Sequence, residues 1–310
     1  MPEVSIITPS FNRATLLPRL WQSIASQNAD FEWIIVDDAS EDETERVVSR
    51  FNDPRISYIR MTENRGVNAA RNAGVSASSG RFIIFLDSDD ELYPEALPYA
   101  IDSIMNADGH TGVMLFSCVL AESGRVINEP ADGKVLNEYD IVCGDELAGG
   151  DMICLYRREV FDSYKLPEKL RGCEQVFVYE ISKKYNFEMV NKPLSIVHRQ
   201  SDNLSGSSNM VKRSLDIARS YELLLENHST VLNNNDRAFK RYLEKAIYRY
   251  GVAGSRGDAW RVYRRLWHAD SSFTNRIKSS SLMVFCLLGP SLFEAWRINR
   301  LNKKLLSSKK

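Results

Sequence analysis

Five apolar residues, Phe82 to Leu86, run without interruption into Asp87, Ser88, Asp89 and Asp90. Such a run predicts a strand buried on both faces, and its acids then stand where the strand leaves the sheet. The segments before it repeat the theme. Val4 to Thr8 (VSIIT) reads as a β-branched strand ended by Pro9, and Leu16 to Ile24 has helical spacing of its apolar residues. Phe31 to Val36 (FEWIIV) is a second strand closed by Asp37 and Asp38, and Ser40 with the acids after it predicts the N-cap and first turn of a helix. Ile56 to Arg60 is a third strand, and ENRGVNAARNAGVSASSG passes from a loop into an Ala-rich helix ending near Gly80. The resulting order β-α-β-α-β-α-β predicts a parallel, doubly wound sheet.

Beyond residue 92 the spacing predicts a helix over 95–105, a strand over 112–120, a turn-rich surface stretch over 121–150 and a strand over 152–156. A short helix from Arg158, a helix over 171–185 and two short strands, 187–190 and 194–197, follow; the last runs into His198. Asp90 reads as a cap for the helix over 95–105. From about residue 209 the pattern is helical. Phe239, Tyr242, Leu243, Ala246, Ile247 and Tyr250 share a face with Asp236 as cap, and Trp260, Tyr263, Leu266 and Trp267 repeat it beside Arg261, Arg264 and Arg265.

Charge changes this picture. The chain of 310 residues has a net charge of -1, but residues 211–310 hold 20 Lys and Arg against 8 Asp and Glu, whereas residues 1–210 hold 20 against 33. An acidic front suits a metal; a basic back suits a polyanion or an anionic membrane surface. The aromatic and basic C-terminal helices, and above all 281–304, suit a membrane-lying element, or else a helical cap on the front half with a solvated tail. The stretch LMVFCLLGPSLF (282–293) is too short to span a bilayer as a helix. The N-terminus reads as a strand start and not as a signal peptide. Five scattered cysteines without a C-x-x-C pair predict reduced thiols rather than a zinc site or disulfide frame.

The chemistry concentrates at strand ends. Asp87, Asp89 and Asp90 repel one another and are costly to desolvate unless a cation sits among them, which points to a divalent metal and, through it, the phosphates of a nucleotide. The alternative is a solvated acidic turn. In a parallel sheet Asp37/Asp38 and Asp87/Asp89 fall on one edge, where ligands of open α/β sheets bind. No G-x-G-x-x-G follows the first strand and no G-x-x-x-x-G-K-S/T occurs, so a dinucleotide dehydrogenase or P-loop enzyme is disfavoured.

The blocks VSIITPSFNR, WIIVDDASEDET, ENRGVNAARNAG and FIIFLDSDDEL, in this order and over roughly residues 1–205, resemble family-2 inverting glycosyltransferases of the GT-A fold, of the bacterial polysaccharide and lipopolysaccharide type. The resemblance implies sugar transfer from a nucleotide-diphosphate donor with Mn²⁺ or Mg²⁺. It implies that Pro9, Phe11 and Asn12 lie against the nucleobase and that Asp38 accepts from a uracil imide. Arg71 becomes the cation near base and acids, Asp87 and Ser88 donor contacts, and Asp89 a metal ligand with His198 as a further one. Arg199 and Ser205 would contact the diphosphate or close over it. The family's Glu-Asp pair reads Glu174-Gln175 here, so Glu174 is the expected general base and Asp151 the fallback.

The expected fold is therefore a GT-A catalytic domain, 1–208 (nucleotide half 1–92, acceptor half 93–208), with a helical, basic extension, 209–310, suited to a membrane surface. The expected function is transfer from a nucleotide-sugar donor, uridine-linked, to a glycan or polyprenyl- or lipid-linked glycan acceptor in cell-surface polysaccharide synthesis. The expected place is the cytoplasm, peripherally bound at the inner face of the cytoplasmic membrane, without a nucleic-acid partner. The alternative is a relative that binds nucleotide-sugar without turnover, which the Gln175 departure supports; a nucleotidyltransferase would open with a Gly-rich loop that TPSFNR lacks.

Overall fold

Alternate residues of the second strand face opposite sides of the sheet, and both sides are buried. In the computed structural model, which describes residues 1–144, 147, 151–170, 173–198, 213–269 and 283–284, the chain divides into two compact units, Met1–Ser201 and Asp202–Lys310. In the first unit, strands β1 (Val4–Ser10), β2 (Phe31–Asp37), β3 (Ile56–Arg60) and β4 (Phe82–Phe85) are mutually parallel in the order β3-β2-β1-β4. Helices α1 (Leu17–Ala25), α2 (Thr44–Val48) and α3 (Val67–Ala77) connect them. Trp33 and Ile35 of β2 join Leu17, Leu20 and Ile24 of α1 in one core, while Ile34 and Val36 pack with Ala70 of α3 on the other face. Helix α3 lies so close to the sheet that a Cβ at Gly74 would clash with Ile7, so its neighbour Arg71 is carried on a firmly seated element.

The sheet continues through β9 (Ile153–Arg157), β6 (Thr111–Leu120), β10 (Asn186–Val197) and β5 (Glu91–Leu92). β9 is antiparallel to both β4 and β6. Two reversals restore the direction, so β6 and β10 run with β1–β4, and the ends of β2, β4 and β10 meet at one edge with the start of β9. The mostly parallel sheet is thus as expected; the reversed β9 is not. Apolar content alone does not encode strand direction.

Other elements depart from the sequence expectation. β1 does not stop at Pro9 but runs to Ser10, because past Ile7 it pairs only with β2 and the missing proline N–H faces no partner strand. The two strands expected over 187–197 are one, with register shifts around Pro193 that absorb its lost donor. The stretch 121–150 is not all surface excursion: β7 (Val126–Ile127) pairs with β6, β8 (Lys134–Leu136) pairs with β10, and α5 (Glu138–Cys143) is capped by a reciprocal Asn137–Asp140 box. Ser40 caps no helix; its hydroxyl accepts from Asn12 N at 2.8 Å. Nor does Asp90, since α4 (Ala96–Asn106) begins after Glu95. After the short α6 (Val160–Ser163), α7 spans only Gln175–Ser182, with Glu174 at its N-cap.

The second unit holds α8 (Ser214–Asn227), α9 (Ser229–Leu232), α10 (Asp236–Val252) and α11 (Arg256–Ala269). Asn235, not Asp236, caps α10, accepting from Ala238 N at 3.0 Å. Tyr242, Leu243, Ala246, Ile247 and Tyr250 of α10 are buried, as are Val262, Tyr263 and Leu266 of α11. The stripe expected over 236–267 is thus consumed within the unit rather than left for a membrane; Trp260 remains 51% exposed. Among the described residues no helix is long and apolar enough to cross a membrane. The segment 281–304 lies, but for Met283 and Val284, outside the described residues.

Candidate active site

The turn after β4 carries the acids out of the sheet. Leu86 is the last buried apolar residue; Asp87 is exposed, Ser88 buried, and Asp90 N closes the turn on Asp87 O at 3.1 Å. β5 then pairs antiparallel with β10, Ile196 opposite Glu91. This pairing brings His198 to the acids: its backbone N–H donates to Asp90 Oδ1 at 3.2 Å and its Nε2 lies 2.7 Å from Glu91 Oε1. Arg19 of α1 completes the group, donating to the carbonyl of Asp89 and lying 3.3 Å from Glu91 Oε1 through Nε.

Burial, and then the charges of Asp87 and Asp89, push the Asp90 acid up to about 8; Asp151, two residues before β9, adds to the effect. The turn therefore carries more negative charge than it stabilises by itself. Among the described residues no three His, Cys, Asp or Glu side chains converge into a ready-made cation site.

Arg71 of α3 joins two acids. Its Nη2 donates to Asp87 Oδ1 at 2.7 Å and its Nη1 to Glu174 Oε1 at 3.4 Å, with the guanidinium 5.4 Å from the Phe85 ring centroid. Burial works against its charge, but Asp87 and Glu174 outweigh it and hold the group as a cation. Among the described residues its buried Nε has no hydrogen-bond partner.

The loops after β1 and β2 are fastened to each other. Asn12, in the left-handed region at φ 54°, donates its N–H to Ser40 Oγ and accepts from Glu41 N at 2.9 Å. Phe11 beside it is 43% exposed, and Pro9 sits in the strand. The acids at the end of β2 divide. Asp37 is fully buried and accepts from Ser40 N at 2.8 Å and from the Tyr58 hydroxyl. Asp38 accepts from Arg65 N and Gly66 N, both at 2.7 Å. It thereby shapes the entry to α3; each oxygen keeps a second lone pair.

The loop that leads to Glu174 is clamped on α3. Asn72 donates to Leu166 O and accepts from Leu166 N, each at 3.0 Å, Asn68 donates to Pro167 O at 3.0 Å, and Arg65 pairs with Glu168 at 2.6 Å. The structure so brings Asp87, Arg71 and Glu174 together, and His198 to Asp90 and Glu91. Arg199 and Ser205 lie outside the described residues. Arg19, Glu91, Asn68, Asn72 and Glu168 hold these candidate residues or the loop before Glu174, and the sequence does not announce them. Glu91 stands next to the acid cluster, and the block N-A-A-R-N puts both asparagines on the helix that carries Arg71; nothing in the pattern marks Arg19 or Glu168.

Comparisons with known proteins agree with this architecture. A protein of Campylobacter jejuni named GalNAc(5)-diNAcBac-PP-undecaprenol beta-1,3-glucosyltransferase is 27% identical over 263 residues, 80% of this chain and 82% of that one. S. aureus TarS 1–349 in complex with UDP shares the fold with a TM-score of 0.60 at 19% identity, over 96% of this chain and 92% of that one. The mannosyltransferase PcManGT from Pyrobaculum calidifontis, in complex with GDP-Man and Mn2+, gives 0.53 at 17%, over 93% and 87%. Residues 5–164 match the family described as glycosyl transferase family 2, and with a sheet of the same GT-A type carrying its acids at one edge, the chain belongs to that family and is a glycosyltransferase.

Proposed function

We propose that the chain transfers a sugar, with inversion, from a uridine-diphosphate donor to a hydroxyl of a glycan or lipid-linked glycan in cell-surface polysaccharide synthesis. The observation that carries this reading is the bridge Asp87–Arg71–Glu174, which sets a donor-side acid and a proton acceptor on one cation at the ligand-binding edge. Pro9, Phe11, Asn12 and Asp38 form the nucleobase side, and Asp87 and Ser88 contact the donor beyond it. The exposed Phe11 ring offers a flat face to a base. Glu174, more than a third exposed, is open to an acceptor hydroxyl. It takes the hydroxyl proton as that oxygen attacks the anomeric carbon, and the bond from that carbon to the diphosphate oxygen breaks on the opposite face. Asp151 is the reserve for this role. The UDP in the TarS structure and the undecaprenol-linked glycan in the name of the Campylobacter relative support the donor and acceptor classes.

The donor set fits Mn²⁺ or Mg²⁺ held by Asp89 and His198. Such ions are commonly bound by one or two protein ligands plus substrate phosphates rather than by an all-protein cage. Burial first, and then the charges of Asp87 and Asp89, raise the Asp90 acid; a cation would offset the second of these. When bound, the ion supplies charge neutralisation of the departing diphosphate. The basic C-terminal unit suits peripheral attachment to an anionic membrane at the cytoplasmic face.

The test is transfer from UDP-sugars to undecaprenyl-diphosphate-linked glycans with Mn²⁺. The expected result is a product whose formation falls steeply, to a residual rate, in Asp89→Ala and in Glu174→Gln. Full activity in Asp89→Ala ends the metal role; UDP binding without turnover under any donor favours the binding-only alternative. For the membrane, removal of residues 281–310 is expected to release the protein from anionic liposomes, and unchanged co-sedimentation overturns the attachment.

A further inference from the structure

We propose that Arg71 is a positioning residue for the proton acceptor: one arm of its guanidinium holds Glu174 while the other is anchored on Asp87. This role deepens the proposed function and rests on Glu174 being the base. Three features carry it. The side chain is only 13% exposed and sits on a helix seated tightly against the sheet, so its reach is fixed. Glu174 by contrast is 37% exposed and stands at the N-cap of α7 without a side-chain cap hydrogen bond of its own, its carboxylate held by Arg71. Finally, the guanidinium leaves its buried Nε without a hydrogen-bond partner among the described residues. Its orientation is therefore set by the two carboxylates rather than by a surrounding shell of acceptors.

A consequence is that the base and the donor side share one cation. Remove it, and two carboxylates lose their common counter-charge, repel each other, and leave Glu174 to swing into solvent. A lysine keeps the charge but not the planar fork, so it serves one acid at a time. Arg71 then matters for the rate at saturating donor more than for donor affinity.

The experiment measures kcat and KM for the UDP-sugar, and UDP affinity by calorimetry, on the full chain with Arg71→Gln, Arg71→Lys, Glu174→Gln and Arg71→Gln/Glu174→Gln. Expected are a fall in kcat of about 10²-fold for Arg71→Gln with KM and UDP affinity changed by no more than about threefold, a partial recovery in Arg71→Lys, and a double variant no slower than Glu174→Gln alone. A rise in KM and loss of UDP affinity at unchanged kcat overturns the inference and makes Arg71 a simple donor contact; so do multiplicative losses in the double variant. If Arg71→Gln loses its cooperative melt, Arg71→Lys carries the test, and wild-type kcat there overturns it. Glu174→Gln at wild-type kcat strikes the assignment of the base instead, whereas an inactive Glu174→Gln beside a fully active Arg71→Gln strikes this inference alone.

Discussion

The imidazole Nε2 of His198 lies 2.7 Å from Oε1 of Glu91, across 107 positions of sequence. Glu91 in turn is held by Arg19 at 3.3 Å. An ionised carboxylate only accepts, so the imidazole N–H that meets it is on Nε2. Metal-binding histidines are commonly oriented in this way by a carboxylate behind them.

Loss of that carboxylate is the first test. Glu91→Ala releases the ring and its tautomer, and Mn²⁺ affinity in the presence of UDP falls about tenfold or more. Isothermal titration measures it. An unchanged affinity removes His198 from the proposed cation set.

Asp90 gives a pH dependence. Its acid is pushed up to about 8 in the folded, metal-free chain, against about 3.9 when unfolded. Below about pH 4 both states hold the proton and nothing differs. Between about pH 4 and 8 the folded state keeps a proton that the unfolded state has lost, so stability falls as pH rises, and above about 8 the full cost is present. Asp90→Asn therefore flattens the pH slope of urea unfolding in EDTA and raises stability at pH 8 by about 1–2 kcal/mol, discounted for the solvent near this turn. An unaltered slope contradicts the burial and the neighbouring charges that raise this acid.

Why some of these contacts are hidden in the sequence is a matter of range. The apolar runs of β1, β2 and β4 and the periodicity of α1 and α3 are local signals, so the parallel core and its acid-bearing edge are legible in the sequence alone. β5 is two residues long, below any period, yet it is what ties His198 to the acids. The link between Arg71 and Glu174 spans 103 positions, and its existence depends on the seating of α3 and on the reversed β9, neither of which leaves a local mark. The caps fail for the opposite reason. Ser40 and Asp90 are good capping types, but tertiary partners, the Asn12 and His198 backbone amides, claim them first.

The clamp on the loop before Glu174 yields a third prediction. Asn72 makes a reciprocal pair of hydrogen bonds with Leu166 at 3.0 Å each, and Asn72→Ala leaves both backbone groups of Leu166 unmet. A loss of about 1–2 kcal/mol in urea unfolding is expected. Transfer activity should fall with it at temperatures where the protein is still folded, since the loop delivers Glu174. Stability and activity both at wild-type level would show that the loop is held by its other contacts alone.

The last prediction concerns the helical unit, where a buried acid stands in for apolar packing. Glu222 of α8 accepts from the Tyr250 hydroxyl of α10 at 2.5 Å and from Arg261 of α11 at 2.5 and 2.8 Å, so one carboxylate ties three helices. Burial works against its charge, but the Arg261 and Tyr250 hydrogen bonds prevail and hold it below the usual carboxylate range. A depressed carboxylate contributes stability that is present above its unfolded value, about 4.3, and is lost as pH falls through the folded one. Glu222→Gln removes that acid-side dependence and leaves Arg261 without its bidentate partner. The expected cost is about 2 kcal/mol at pH 7, less than for a fully buried ion pair because Arg261 is half exposed. The loss should shrink as pH falls below the ordinary carboxylate range, where the wild-type carboxyl takes up its proton. Hydrogen exchange localises the effect: amides of α10 and α11 lose protection in the variant while those of β1 and β4 keep theirs. Equal loss of protection in the sheet would show that the two units unfold together rather than singly.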